Sequence, residues 1–289
     1  MIVITIPAYN EEKSLGNVIK EIRKIMDKTK EDYKILVVDD GSKDKTVEIA
    51  KKNNAIVKSN KINLGLALTF QREMKECLDL NADIIVHTDA DGQYPAEYIP
   101  SLINRVKDGY DLVLGSRFEK GKYEGSFIKK LGNKAFAKVF TNLLKTKVTD
   151  TTTGFRAFNK EVAKLQIINT FTYTQEQLIR AAKSNMSIAE VPITTRKTRE
   201  SRLFKNPLDY AIKAWINILR IERDFNPIKF FGSIGAFFLL IGVMIGLYFV
   251  MLQLTTGIHG HTALMFLMLI LIFTGIQIIL FGFLADMRN

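Results

Sequence analysis

Two aspartates and a glutamine stand close together in the run Asp89-Ala90-Asp91-Gly92-Gln93. In an extended segment, residues i and i+2 project to the same side, so Asp89 and Asp91 can flank one hard divalent cation that also binds phosphate oxygens. Gln93 adds a neutral oxygen two residues further on. An Asp-x-Asp run by itself also fits a solvated turn, so the prediction of a cation site depends on what lies nearby.

The run follows one of several short β-rich segments that alternate with amphipathic helical patterns. This rhythm predicts an α/β fold with a mostly parallel sheet, and such sheets bind ligands at the carboxyl ends of their strands. Other polar motifs also follow strands, which favours a ligand site over an isolated turn. The predicted strands are Ile2 to Ile6, Lys34 to Val38, Ala55 to Lys58, Asp83 to Thr88 and Asp111 to Gly115.

Several familiar sites are absent from the sequence. It has neither a G-x-x-x-x-G-K-[ST] phosphate loop nor a G-x-G-x-x-G run after a strand, so nucleotide binding would use carboxylates and metal. A zinc site is not expected, because His87, His259, His261 and Cys77 lack ligand spacing. We interpret His87 as a core residue or a support of the site, and Cys77 as a core residue on an apolar helix face.

The combined motifs resemble the inverting glycosyltransferases of family 2, which have the GT-A fold, and within them the dolichyl-phosphate mannose synthase and polyprenyl-phosphate glucosyltransferase branch. The likeness covers about the first 205 residues. It implies a Rossmann-like, mostly parallel sheet with helices on both faces. The motifs that carry it are Pro7 to Glu12, Val38 to Ser42, Asn63-Leu64-Gly65, Asp89 to Gln93, Gly115-Ser116-Arg117, Asp150 to Phe155 and Arg196 to Leu203.

The resemblance also implies roles for individual residues. Asp91 and Gln93 would bind Mg²⁺ or Mn²⁺, and Asp91, Arg117 and Arg202 would be the catalytic groups. The acceptor phosphate would meet Lys129, Arg117 and Arg202. The nucleotide-sugar site would consist of Pro7, Tyr9, Glu11, Val38, Asp40, Asp89, Ala90, Asp91, Gln93, Arg117, Arg196 and Arg202.

The acceptor segments depart from those of related mannose synthases. Lys129-Lys130 stand where such enzymes carry an arginine, and Arg199-Glu200-Ser201-Arg202-Leu203 replaces an R-G-E-S-K-L run. Lysine keeps the charge but lacks the bidentate fork of arginine, so the geometry at the acceptor is expected to differ.

The reaction that the resemblance implies is transfer of one sugar, with inversion, from a nucleotide-diphosphate sugar of the GDP-mannose or UDP-glucose type to polyprenyl or dolichyl phosphate. A phosphate monoester has a second pKa of roughly 6, so this acceptor is a nucleophile at neutral pH without a dedicated base. Asp150 is the only carboxylate of its loop. From the sequence it either orients the acceptor or caps a turn.

Two alternatives stay open at this point. A membrane glycosyltransferase with a hydroxyl acceptor would need a general base, and a non-catalytic scaffold would keep the nucleotide site without turnover. A processive polysaccharide synthase is disfavoured, because the Q-x-x-R-W motif is missing and the only tryptophan, Trp215, follows Ala214.

The C-terminal part of the chain predicts a membrane hairpin. No charged residue occurs from Phe230 to Ala285, and about 20 apolar residues suffice for one crossing. A polar, Gly-rich turn separates two spans, Phe230 to Leu254 and Ala263 to Ala285. Basic residues favour the cytoplasmic side and none lies in the turn, so both termini and the catalytic domain are expected there. The alternative is a buried hairpin of a soluble protein.

Between the two parts, residues 206–227 are predicted to form an amphipathic helix that lies on the membrane or packs against the globular domain. The expected domains are thus 1–205 for the glycosyltransferase, 206–227 for this helix and 228–289 for the hairpin. The chain has 41 Lys and Arg against 30 Asp and Glu, and all but one of each precede Phe230. A basic excess beside membrane segments indicates that the partners of these residues are lipid phosphate and anionic headgroups rather than nucleic acid. A solvated basic stretch has the same composition and stays open as an alternative.

Overall fold

The structure is a computed structural model that describes residues 1–118, 148–167, 173–196, 216, 219–220, 222–224, 226–255, 257 and 260–287. The chain divides into two compact units, Met1–Glu200 and Ser201–Asn289. The predicted amphipathic helix and the domain boundary at residue 205 lie largely outside the described residues.

The first unit alternates strands and helices. Its strands are Ile2–Ala8 (β1), Tyr33–Asp39 (β2), Ile56–Ser59 (β3), Ile84–His87 (β4), Leu112–Ser116 (β5), Arg156–Asn159 (β6) and Ile188–Pro192 (β7). Its helices are Leu15–Met26 (α1), Thr46–Lys52 (α2), Leu66–Asp79 (α3), Ile99–Lys107 (α4), Lys160–Ala163 (α5) and Tyr173–Lys183 (α6), with a short 3₁₀ turn at Ala96–Tyr98.

In the described part of this unit, the strands form one seven-stranded sheet in the order β3-β2-β1-β4-β6-β5-β7. Only β6 runs antiparallel to its neighbours, β4 and β5. The chain moves outward from β1 to β2 and β3 and then returns to place β4 on the other side of β1. A ligand crevice is expected at such a switch point, outside the carboxyl ends of β1 and β4. The predicted mostly parallel α/β fold is confirmed.

One face of the sheet is apolar. Alternate residues of β1, such as Ile4 and Ile6, pack with Val86 of β4 and with the buried faces of α1 and α4. Because side chains alternate across a strand, Thr5 and His87 project to the opposite face, where α3 supplies Glu73. Helices therefore cover both faces of the sheet, and the second face carries buried polar groups next to the crevice.

Sequence patterns missed the last two strands. The strand β6 spans only Arg156–Asn159, and β7 contains Glu190 and ends at Pro192. Neither segment has the alternation or the β-branched run by which a strand is recognised. Their places in the sheet come from pairing with β5, which lies between them.

The second unit contains two long apolar helices, Pro227–Thr255 (α7) and Thr262–Asp286 (α8). Each helix is long and apolar enough to cross a membrane, and little of its most apolar segment is buried, 17% in α7 and 6% in α8. Such exposure is the opposite of what a buried soluble hairpin requires. The two helices approach closely at glycines: a Cβ on Gly235 would lie 2.6 Å from the carbonyl oxygen of Gly275.

Candidate active site

The Asp89–Gln93 run begins two residues after β4, at the switch point of the sheet. Asp91 Oδ1 accepts a hydrogen bond from the backbone N–H of Gln93 at 2.9 Å, and Gly92 has a positive φ of 77° that closes this turn. Burial raises the pKa of Asp89 to about 6, and the charge of Asp91 acts in the same direction, while His87 and Arg117 oppose both. The two aspartates therefore lie close enough to repel each other.

This pair of carboxylates fits a divalent cation that is shared with a substrate. No group of three or more His, Cys, Asp or Glu side chains in the described ranges could hold a metal by itself. Mg²⁺ is commonly bound through one or two carboxylates together with substrate phosphates. Asp91 and Gln93 supply oxygen donors of this kind, and a cation would relieve the repulsion between Asp89 and Asp91.

Arg117, directly after β5, forms a bidentate ion pair with Asp150. Its Nε lies 2.7 Å from Asp150 Oδ2, and its Nη2 lies 2.9 Å from Oδ1 and 2.8 Å from Thr152 Oγ1. The Asp150 side chain is fully buried, whereas that of Arg117 is 17% exposed. Asp150 also accepts from the N–H of Thr152. It therefore caps the turn and fixes the guanidinium plane at the same time.

The loop that carries Asp150 is held from several elements. Glu190 of β7 accepts the N–H groups of Thr149 and Asp150, each at 2.9 Å. Arg156 donates to the carbonyl oxygen of Thr153, and His87 Nδ1 lies 2.7 Å from that of Gly154. Side chains from three strands, β7, β6 and β4, therefore hold the loop in place.

At the ends of β1 and β2, the register pairs Pro7 with Val38, and both are buried. Tyr9 is 37% exposed, and the backbone N–H of Glu11 donates to Thr46 Oγ1 at 2.8 Å. The buried carboxylate of Asp40 accepts hydrogen bonds from Asn60 Nδ2 and from the N–H groups of Leu64 and Gly65. Asp40 therefore holds the Asn63-Leu64-Gly65 motif at this edge.

Arg196 lies next to the aspartate loop through its backbone, whose N–H donates to the carbonyl oxygen of Gln93 at 2.9 Å. Its guanidinium, however, pairs with both oxygens of Glu21 at 2.7 Å. Binding a phosphate would require Arg196 to exchange this partner. Lys129 and Arg202, together with Lys130 and the rest of 197–203, lie outside the described residues.

Several groups at the site were not singled out from the sequence. They are Thr5, Glu73, Arg156, Tyr173 and Glu190. Each belongs to a strand or a helix, and its contacts join segments that are apart in the chain. Spacing along the sequence gives no signal for such contacts.

Comparisons with known proteins agree with this architecture. The sequence profile of the family described as Glycosyl transferase family 2 matches residues 3–165. The dolichyl-phosphate hexose transferase of Haloferax volcanii is 35% identical over 68% of this chain and 83% of its own length. The dolichol-phosphate mannosyltransferase of Pyrococcus furiosus is 31% identical over 90% of this chain and 74% of its own.

A solved structure has the same fold. Glucosyl-3-phosphoglycerate synthase from Mycobacterium tuberculosis, crystallised with Mn²⁺, UDP and glucosyl-3-phosphoglycerate, superposes with a TM-score of 0.59. It is 20% identical, and the match covers 77% of this chain and 78% of that chain.

The mostly parallel sheet, the aspartates at its switch point and these relatives together identify the protein as a glycosyltransferase of GT-A fold. The chain belongs to glycosyl transferase family 2.

Proposed function

We propose that the protein transfers one sugar, with inversion, from a nucleotide-diphosphate sugar to the phosphate of a membrane polyprenol or dolichol. The observation that carries the proposal is the joint presence, in one chain, of the aspartate loop at the switch point and two helices suited to a membrane. The relatives named for dolichyl-phosphate hexose transfer and dolichol-phosphate mannosyl transfer support this acceptor. The donor is of the GDP-mannose or UDP-glucose type.

Asp91 and Gln93 are proposed to hold Mg²⁺ or Mn²⁺ against the diphosphate of the donor. The bound cation supplies Lewis-acid neutralisation of the charge that gathers on the leaving nucleoside diphosphate. Support comes from the adjacent carboxylates of Asp89 and Asp91 and from the Mn²⁺ and UDP of the M. tuberculosis structure.

Arg117 is proposed to bind the phosphates on either side of the reacting carbon. An oxygen of the acceptor phosphate attacks the anomeric carbon, and the bond from that carbon to the diphosphate oxygen breaks, with its electron pair leaving on the nucleoside diphosphate. Guanidinium groups stabilise such charge through charge-assisted hydrogen bonds. Arg202 and Lys129 are assigned to the same phosphates by resemblance alone.

Asp150 is proposed to orient Arg117 rather than to act as a base. Both of its oxygens already accept hydrogen bonds from the guanidinium, and the group is fully buried. A phosphate acceptor needs no base, because its second pKa of roughly 6 leaves it ionised at neutral pH.

The nucleoside is proposed to lie between the ends of β1 and β2, against Pro7, Tyr9, Glu11 and Val38. Asp40 contributes by shaping the wall of this site, since its carboxylate holds the turn at Leu64 and Gly65. Ala90 and Asp89 would face the ribose and the diphosphate. Arg196 joins the site only if it leaves Glu21.

The test uses purified full-length protein in detergent, supplied with one nucleotide sugar at a time. We expect nucleoside diphosphate release and a mass-identified polyprenyl-phosphate sugar only when polyprenyl phosphate and a divalent ion are both present. Asp91→Asn should lower turnover by at least about 100-fold, the scale of lost metal catalysis.

The matched controls are Asp108→Asn, a change at an exposed aspartate after α4, and polyprenol without its phosphate. Turnover that survives a chelator would refute the metal assignment. If sugar is transferred equally well to polyprenol, the acceptor group is a hydroxyl and not a phosphate.

A further inference from the structure

A buried pair of titratable side chains, Glu73 and His87, lies beneath the crevice and has no role in the reaction described above. Thr5 and His87 are register partners on β1 and β4, and both reach Glu73 on α3. The Thr5 hydroxyl donates to Glu73 Oε1 at 2.7 Å, and His87 Nε2 lies 3.3 Å from Glu73 Oε2. All three side chains are fully buried.

The contacts of His87 fix where its protons are. Nδ1 lies 2.7 Å from the carbonyl oxygen of Gly154, and because a carbonyl only accepts, Nδ1 must donate. Nε2 and Glu73 Oε2 face each other at this distance, and neither forms a hydrogen bond of normal geometry in the described part of the chain. Two facing lone pairs would repel in this buried place, so one proton lies between Nε2 and Oε2. Glu73 therefore holds the ring with Nδ1 as the donor to Gly154.

Gly154 is the link between His87 and the reactive groups. A Cβ at this glycine would lie 3.1 Å from Asp89 Oδ1 and 3.2 Å from the Tyr173 hydroxyl, so its backbone packs directly against Asp89. The same loop carries Asp150, which orients Arg117. Moving the Gly154 carbonyl would thus disturb both sides of the crevice.

The rings of Phe70 and Tyr173 enclose the imidazole, with centroids 5.3 and 5.4 Å from that of His87. The charged or titratable groups that face it are Glu73 from α3, Asp89 from the loop after β4, Arg156 from β6 and Tyr173 from α6. Replacing a buried ion pair with apolar residues is often neutral or stabilising. Stability alone is therefore a weak reason for this pair.

We propose that His87 and Glu73 are positioning residues of the transferase site: the Nδ1–H of His87, held by Glu73, fixes Gly154 and so places Asp89 and Arg117 for the nucleotide diphosphate. The assignment of Asp89 and Arg117 to the donor rests on the proposed function. The hydrogen bond from His87 to Gly154 does not.

Two substitutions test the roles of the two ring nitrogens of His87 separately. The amide nitrogen of Asn is bonded to Cγ, as Nδ1 is, so His87→Asn keeps a donor toward Gly154. In Gln the amide nitrogen lies one bond further out, as Nε2 does, so His87→Gln keeps the contact with Glu73 and loses the one with Gly154. Met74→Ala on α3 is the control, since it removes buried apolar volume and neither atom of the His87–Gly154 hydrogen bond belongs to Met74.

The first measurement is calorimetric binding of UDP and of GDP, each with Mn²⁺, to the full chain in detergent. We expect His87→Gln to weaken binding about tenfold, the effect of one lost hydrogen bond. His87→Asn should stay within about threefold of the parent protein, and Met74→Ala should lower the melting temperature while leaving the affinity unchanged. Equal weakening by His87→Asn and His87→Gln, or none by either, would overturn the proposal.

The second measurement is amide hydrogen exchange of residues 150–154 without nucleotide. We expect faster exchange in His87→Gln than in His87→Asn. Equal exchange would contradict the proposal that the hydrogen bond from His87 fixes Gly154. If neither nucleotide binds the parent protein, the proposed function fails, while the exchange comparison still decides the role of His87.

Discussion

Asp150 binds Arg117 through both carboxylate oxygens, and this contact decides between two mechanisms. A general base must reach the proton of the acceptor, whereas an orienting carboxylate must stay on the guanidinium. The buried position of Asp150 favours orientation. The distinction can be measured, because the two roles affect different kinetic constants.

Asp150→Asn should raise the KM for the donor about tenfold and lower kcat by less than about tenfold, because an amide cannot accept both guanidinium N–H groups. Steady-state kinetics with varied donor and saturating acceptor measures both constants. Loss of a general base would instead lower kcat by about 10² to 10⁴. A loss of that size with an unchanged KM would make Asp150 the base.

The Glu73–His87 pair should make stability depend on pH. Burial lowers the pKa of His87, but the charge and proximity of Glu73, together with the charge of Asp89 and the contact with Gly154, outweigh it, so the pKa of His87 lies above its usual value. Stability from the pair is therefore complete below about pH 6.5 and is lost as pH rises through the raised pKa.

In Glu73→Gln, an amide can donate to a neutral Nε2, which removes this dependence. The melting temperatures of the Glu73→Gln protein and the parent protein should differ most near pH 6. Toward pH 9 this difference should shrink by about 3 °C or more. A difference that stays constant over this range would mean that His87 does not gain its charge from Glu73.

At the scale of elements, local patterns predicted the strands whose ends form the crevice. The runs β1, β4 and β5 are mostly buried and apolar, and carboxyl ends of parallel strands share an edge, so sequence patterns suffice to place Asp91 and Arg117 at one edge. The partner of Arg117 has no such local signal. Asp150 reaches it only because β6 returns antiparallel between β4 and β5, a pairing that depends on the whole sheet.

The second unit depends on close contact between its two helices. The Cβ of any larger residue at Gly235 would lie 2.6 Å from the Gly275 carbonyl, whereas no atom of the described residues lies within 4 Å of a Cβ at Gly232. Gly235→Leu should therefore force α7 and α8 apart, and Gly232→Leu should not.

Overpacking of this kind costs about 1–3 kcal/mol, so the Gly235→Leu protein should lose helical structure at a lower fraction of dodecyl sulfate in mixed micelles. Circular dichroism follows the loss. Equal resistance of the two variants would mean that α7 and α8 do not pack through Gly235.

Charge and hydropathy divide the chain into a charged part before Phe230 and an apolar part after it. All but one of its 41 basic residues precede Phe230, and α7 and α8 contain none between Phe230 and Ala285. A basic excess on one side of two spans predicts a cytoplasmic catalytic unit, because basic residues are retained there during insertion. The same predicted topology would bring positive charge near anionic headgroups, where each basic residue at the surface contributes about 1 kcal/mol of attraction.

This topology predicts which cysteines an impermeant maleimide reaches in intact cells. The only native cysteine, Cys77, is buried, and burial raises the pKa of its thiol, so it reacts poorly. Thr262→Cys, at the exposed start of α8, should be labelled from outside, whereas Lys28→Cys, at an exposed site of the first unit, should be labelled only after the membrane is permeabilised. Labelling of Lys28→Cys in intact cells would place the catalytic unit outside and exclude a donor drawn from the cytoplasm. Labelling of neither before permeabilisation would contradict two full crossings, because the segment between α7 and α8 would then have stayed on the side of the catalytic unit.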